Sequence, residues 1–240
     1  VKITWRILGV AGFNFAWVKR QWMWTIQSLM FTLSIVLIAY GWGGYTIAKT
    51  VIPIFMVVSA WEFGLNIITQ EVGWHRVSRE WERIIASPLT LLEYFTGLVI
   101  GMLPMELASL IPLSIIAVTS GFEIHVVLFP LILTPLAMAL GAFFSLSIVL
   151  RVKNPMNISA ITNPLTTATV FLPPVLYSTT ILPEPLRTIS MGIPTVALAE
   201  IVRAIIAKTW ITPVYPIISI TAWLAITTIT TAKALKWGLE

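Results

Sequence analysis

Apolar residues run along this chain in long blocks separated by short polar breaks, and the blocks set the expected architecture. A helix needs ~20 apolar residues to cross a ~30 Å hydrocarbon core. Six stretches meet that length: residues 23–42, 47–69, 91–118, 126–150, 158–177 and 214–235. Gly41, Gly43 and Gly44 end the first, and Pro104 and Pro112 are expected to bend the third. Pro164 and the Pro173-Pro174 pair interrupt the fifth. The pattern predicts an all-α membrane protein with six transmembrane helices in one domain over residues 23–240. Neither an internal repeat nor a polar linker divides it.

Three stretches break the block pattern. In residues 1–22, Trp5, Leu8, Phe15, Val18 and Trp22 recur near helical spacing with Lys2, Arg6, Lys19 and Arg20 between them. A basic helix with aromatic anchors suits the headgroup layer, so an N-terminal interfacial amphipathic helix is expected. The stretch lacks the compact apolar core and cleavage site of a signal peptide. Residues 78–88 form a charged island. Read as a helix, they put Trp81, Ile84 and Ile85 on one side and Arg79, Glu82 and Arg83 on the other. Ser78 reads as the N-cap, with Glu80 and Glu82 in the first turn. Pro88 drives Ser87 out of helical geometry, and Thr90 with Glu93 makes a capping box for the next helix. This element is either an interfacial helix or a docking surface for a soluble protein. Residues 181–212 are apolar but broken by Pro183, Pro185, Pro194 and Pro213. They predict two half-helices, 185–193 and 196–208, dipping into the outer leaflet before the last span.

Composition narrows the class. The chain is 58% hydrophobic and 10% charged, against about 25% charged in soluble domains. Its net charge of +5 matters through its placement rather than as a nucleic-acid signal. With the N-terminus inside, Lys2, Arg6, Lys19, Arg20, Arg76, Arg79, Arg83, Arg151, Lys153, Lys233 and Lys236 lie inside; Lys49, Arg187, Arg203 and Lys208 lie outside. That bias predicts cytoplasmic termini and a cytoplasmic island in a multi-pass protein of the cell membrane.

Candidate chemistry is sparse. No phosphate-binding Gly-x-x-x-x-Gly-Lys-Ser/Thr loop, zinc motif or nucleophile elbow occurs, and cysteine is absent, so neither an enzyme nor a metal site is expected. Two carboxylates fall inside spans, Glu62 and Glu106. A charge at the bilayer centre costs about 2.5–3.5 kcal/mol on insertion scales, so each lines a substrate or proton path or is a buried, hydrogen-bonded acid. Glu200 and Arg203 stand three apart and can pair on one helix face.

Several of these residues together resemble one family. Glu82-Arg-Ile-Ile-Ala-Ser-Pro88 is similar to the Leu-Glu-x-Leu-Leu-Ala-Ser-Pro stretch that follows the second span in ABC-2 type permeases, the membrane subunits of type V ABC exporters of drugs, polysaccharides and lipids. Leu182-Pro-Glu-Pro-Leu186, Ile193-Pro194 and Glu200-Ile-Val-Arg203 resemble that family's outer re-entrant region, as does the overall plan. Arg79-Glu-Trp81 stands where the family usually has Gly-Thr-Leu, and Ile193 where it has Asn. The resemblance implies a permease subunit with no ATP site of its own. ATP and Mg would act on a separate ATP-binding subunit docked through Arg79, Glu80, Trp81, Glu82, Arg83, Ser87 and Pro88. A second copy would complete the pathway for an amphipathic, lipid-linked or drug-like substrate moving outward. Its seam would use the first and fifth spans, the latter through the small polar face of Ser159, Thr162, Thr166 and Thr169. Glu62, Glu106, Thr162 and Thr166 are the expected path residues, and Pro183, Pro194, Glu200 and Arg203 mark the outer region. The competing reading is a secondary transporter or channel using Glu62 and Glu106 for ion coupling, which has no need of the island.

Overall fold

The computed structural model describes residues 2–78, 80–151, 154, 157–209 and 214–235. Arg79, Lys153, Pro155, Pro213 and residues 236–240 lie outside that set, and the side chain of Lys2 with them. The described chain is all-helical: α1 (Lys2–Arg20), α2 (Trp22–Phe63), α3 (Thr69–Val77), α4 (Glu80–Ala86), α5 (Leu91–Thr119), α6 (Ile124–Val149), α7 (Ile158–Thr166), α8 (Glu184–Ser190), α9 (Pro194–Ile206) and α10 (Val214–Leu235). Among the described residues, four helical stretches are long and apolar enough to cross a membrane: Trp22–Val77, Leu91–Thr119, Ile124–Val149 and Val214–Ala234. They number five if α8 and α9, bent by 98°, count together.

The first of these stretches has 56 residues, about 84 Å if straight and over twice a bilayer core. It does not run straight. Gly43 and Gly44 leave helical geometry, and Gly44 takes φ 59°, a left-handed conformation that glycine adopts without a Cβ penalty. Phe31 and Phe55 would stand about 36 Å apart on one continuous helix, yet their rings lie 5.8 Å apart. The expected break at residues 41–44 is therefore a hairpin, and α2 has two antiparallel legs. The second leg does not stop at residue 69. It passes through a π-helical turn, Gly64–Ile68, and continues as α3 into the charged island.

The core forms where the second leg of α2 crosses α6. Gly141 of α6 abuts the Trp61 carbonyl, and Gly64 abuts the Met138 carbonyl, so the two backbones touch with no side chain between them. Around that contact Trp61, Leu65, Met138 and Ala142 are buried, and Phe95 stacks on Phe143 at 5.0 Å. On the far side α10 ties to α6 through Thr231 Oγ1, which donates to the Phe143 carbonyl at 3.2 Å. α1 lies along α5. A Cβ on Gly97 would meet Val10, and one on Gly101 would meet Ala11 and Asn14. This Gly-x-x-x-Gly step permits the close approach. The packing face of α1 is thus Ile7, Val10, Ala11, Asn14 and Val18. Of the expected anchors only Val18 points inward, and Trp5, Leu8, Phe15 and Trp22 are exposed.

The fifth expected span, 158–177, falls short. α7 and a second π-helical turn cover only Ile158–Phe171, and the chain leaves the helix before Pro173 and Pro174. Its small polar face is also not free for a partner. Thr162, Thr166 and Thr169 are buried against this chain's own helices, while Ser159 and Asn163 are exposed. The reason is local: Trp61 Nε1 donates to Thr169 Oγ1 at 3.2 Å, and Asn66 Nδ2 to Thr166 Oγ1 at 2.9 Å.

Candidate functional site

The two legs of α2 splay apart below Phe31 and enclose a cavity of about 390 Å³ with α5 and α7. Both sequence-predicted acids line it. Glu106 is buried on α5 and accepts from Ser59 Oγ at 2.9 Å; Glu62 is half-buried at the lip. Gln27, Ser28 and Thr32 from the first leg, Asn66 from the π-helical turn and Asn163 from α7 add polar groups, against walls of Trp24, Phe31 and Phe63. Thr162 and Thr166 do not line the cavity. Thr166 acts one step back, holding the Asn66 amide, and the exposed neighbour Asn163 reaches the space instead. The first-leg polar stripe was readable in the sequence as Gln27, Ser28 and Thr32 on one helical face of an otherwise apolar block. A second space of about 600 Å³ continues the first, sharing Trp24, Ile67 and Gln70, and runs between α1 and α3 down to Glu80 at the island.

The island itself is a short helix with one free face. α4 keeps the predicted split: Trp81, Ile84 and Ile85 are half-buried, and Glu82 and Arg83 are exposed. Ser78, expected as its N-cap, closes α3, its Oγ donating to the Trp74 carbonyl at 2.8 Å; α4 is described from Glu80. α3 continues so far because nothing between Ile68 and Val77 breaks it. Arg79, expected on the charged face, lies outside the described residues. At the other end Ser87 Oγ donates to the Ile84 carbonyl, and Pro88 is exposed. The Thr90–Glu93 capping box forms as expected, and Glu93 also reaches Arg6 of α1 at 3.6 Å.

Behind α4 lies a buried polar knot that the sequence reading did not anticipate. His75 Nδ1 and the Tyr94 hydroxyl are 2.8 Å apart; His75 Nε2 lies 3.3 Å from Glu71 and 3.6 Å from Glu80. Trp81 packs edge-on against Tyr94 at 5.7 Å. α4 is thereby joined to α3 and α5 by Glu80 and Trp81.

Residues 13–207 match the family model of the ABC-2 type transporter. The chain belongs to that family. Comparison with curated proteins finds no match. Membership makes the chain a membrane permease component of an ABC-type transporter, a family that implies an ABC ATP-binding partner.

The permease carries a second ordered feature at the α8–α9 end. Both half-helices form, as Glu184–Ser190 and Pro194–Ile206, and their turn meets α10. The Gly192 carbonyl accepts from Trp223 Nε1 at 2.7 Å, a residue ~13 Å along α10 from its start. Thr195 Oγ1 donates to the Thr169 carbonyl. Pro183 caps α8, and Pro194 opens α9 at a position where the missing N–H costs nothing. Glu200 and Arg203 are more than a face pair. They meet at 2.6 Å, Thr179 Oγ1 donates to Glu200 at 2.9 Å, and Arg203 donates to the carbonyls of Val175 and Tyr177. This clamp holds the broken end of the fifth segment, whose carbonyls no helix satisfies. At the rim Lys208 lies 2.9 Å from Glu123 and holds its carboxyl below the usual carboxylate range.

Arg203→Lys is expected to lower stability in detergent nearly as much as Arg203→Ala, by about 2–4 kcal/mol, because a single ammonium cannot reach both the carboxylate and the carbonyls. Thermal unfolding followed by tryptophan fluorescence checks this. A wild-type midpoint for the lysine variant would show that charge alone suffices.

Proposed function

We propose that this permease is the membrane half of an ATP-driven exporter, working as a pair of copies and powered by an ATP-binding subunit that seats on α4. The observation carrying this reading is the construction of α4: a short helix with an exposed Glu82–Arg83 face, fastened to the membrane core through Trp81 on Tyr94 and Glu80 beside His75. A carrier driven by ions alone has no use for such a face. In this reading the α2 hairpin gives two spans, α5, α6 and α10 three more, and the short fifth segment the sixth. The α8–α9 turn is a re-entrant element roofing the pathway. The seam between copies lies along the first leg of α2 and the exposed Ser159–Asn163 side of α7, so that the Glu62–Glu106 cavity opens toward the pathway.

Affinity purification of the chain from its native membrane should bring down an ATP-hydrolysing subunit. Full recovery of intact permease without one overturns the reading. Orientation is tested by cysteines, which the native sequence lacks. Glu82→Cys and Thr188→Cys, both exposed, should label with an impermeant maleimide from opposite faces of the membrane. Labelling from one face rejects the six-span arrangement.

A further inference from the structure

We infer that the Glu62–Glu106 cavity selects a cationic amphiphile: a molecule with a protonated or quaternary nitrogen, N–H donors and a flat apolar body. This inference rests on the export reading above and names the substrate class of that same site.

The cavity holds two carboxyl groups and no basic side chain. Glu71, Glu80, Glu93, Glu123, Glu184 and Glu200 each lie beside a basic side chain. Glu62 and Glu106 lie beside none among the described residues, and no Lys, Arg or His lines the space they share. Glu82 also has no such neighbour but stands in water. An acid removed from water without a counter-charge is costly, and a cation entering the space offsets that cost. Neutral groups are open to a ligand as well. Asn66 donates one amide N–H to Thr166, and its Oδ1 has no donor. Thr32 is 1% exposed and lines the cavity, and its hydroxyl has no partner. Either oxygen can accept an N–H from a ligand.

The walls set the rest of the molecule. Trp24, Phe31 and Phe63 line the same cavity as the two carboxyl groups, and aromatic faces attract a cation and stack a flat ring. The volume of about 390 Å³ falls within the ~300–1,000 Å³ of small-molecule pockets. A phosphate- or sulfate-bearing lipid would set its charge against both carboxylates and is excluded.

The probe is ethidium, a fluorescent, permanently charged aromatic cation with amino donors, against fluorescein, an aromatic anion. The purified permease is placed in neutral phosphatidylcholine nanodiscs, and anisotropy from empty discs is subtracted. Saturable ethidium binding is expected, with fluorescein no higher than the empty-disc signal. Glu62→Gln and Glu106→Gln should each weaken ethidium by about tenfold or more, as loss of one side of a buried charge pair does. Glu184→Gln, on α8, should leave it unchanged. If Glu106→Gln fails to fold, Glu62→Gln, less buried than Glu106, decides alone. Equal binding of fluorescein, no ethidium binding, or unchanged ethidium binding in Glu62→Gln overturns the inference. Recovery of the ATP-binding subunit is scored in parallel. Its presence with failed ethidium binding overturns the substrate class alone, and its absence with Glu62-dependent binding overturns the export reading alone.

Discussion

Gly141→Ala and Gly64→Ala should each cost the fold about 3 kcal/mol or more, although both introduce a single methyl group. A Cβ on Gly141 would fall on the Trp61 carbonyl, and one on Gly64 would fall on the Met138 carbonyl. Overpacking costs roughly 1–3 kcal/mol where side chains can move aside. Here the obstacle is the backbone of the facing helix, so the helices themselves must part. Parting them opens the packing around Leu65, Ala137 and Met138, all fully buried. Against a total stability of ~5–15 kcal/mol, either variant is expected to be recovered poorly. Gly9→Ala is the control, since nothing lies within 4 Å of its Cβ. That exposed change should be neutral or add a few tenths to about 1 kcal/mol. Size-exclusion yield and the thermal midpoint in detergent make the comparison. Wild-type midpoints for both core variants would show that the backbone contact is slack. The contact also bears on the cavity, because Glu62 sits between Trp61 and Gly64, and any separation moves its carboxylate relative to Glu106.

Local rules carried much of the fold. The block at 214–235 is helical throughout, because an uninterrupted apolar stretch of spanning length has little else to do. The Thr90–Glu93 box was visible as a four-residue spacing and forms as a reciprocal pair. The two half-helices follow from where proline can stand. What the sequence hid was which residues face one another. Gly97 and Gly101 announce a close helix approach in their spacing, but not that α1 is the partner. The threonines of α7 look like a free seam until Trp61 and Asn66 are placed against them. Glu62 and Glu106 were each readable as misplaced charges, yet only the α2 hairpin and the α5 register bring them into one space. The His75 knot was invisible because its members come from three helices and each alone reads as an ordinary surface residue.

Reversing the charge of Glu82 should weaken docking of the ATP-binding subunit by tenfold or far more while leaving the permease folded. Glu82 is exposed and makes no intramolecular ion pair among the described residues, so its substitution removes nothing from the fold. In Glu82→Arg a second positive side chain stands beside Arg83 on one short helix. Any group on the partner chosen to meet a carboxylate then meets a cation. Losing one side of a buried, charged hydrogen bond at an interface costs about 2–5 kcal/mol. Trp81→Ala should behave differently. It leaves the docking charges in place but removes the ring that packs on Tyr94, so α4 keeps its partner and loses its grip on α5. The subunit would still bind and hydrolyse ATP, and the movement would no longer reach the helices around Glu62 and Glu106. Reconstituting both variants with the partner and measuring binding, hydrolysis and transport separately distinguishes the two defects. The expected pattern is lost binding for Glu82→Arg, and retained binding and hydrolysis with failing transport for Trp81→Ala. Wild-type behaviour of Glu82→Arg in all three assays would show that α4 does not couple the permease to ATP.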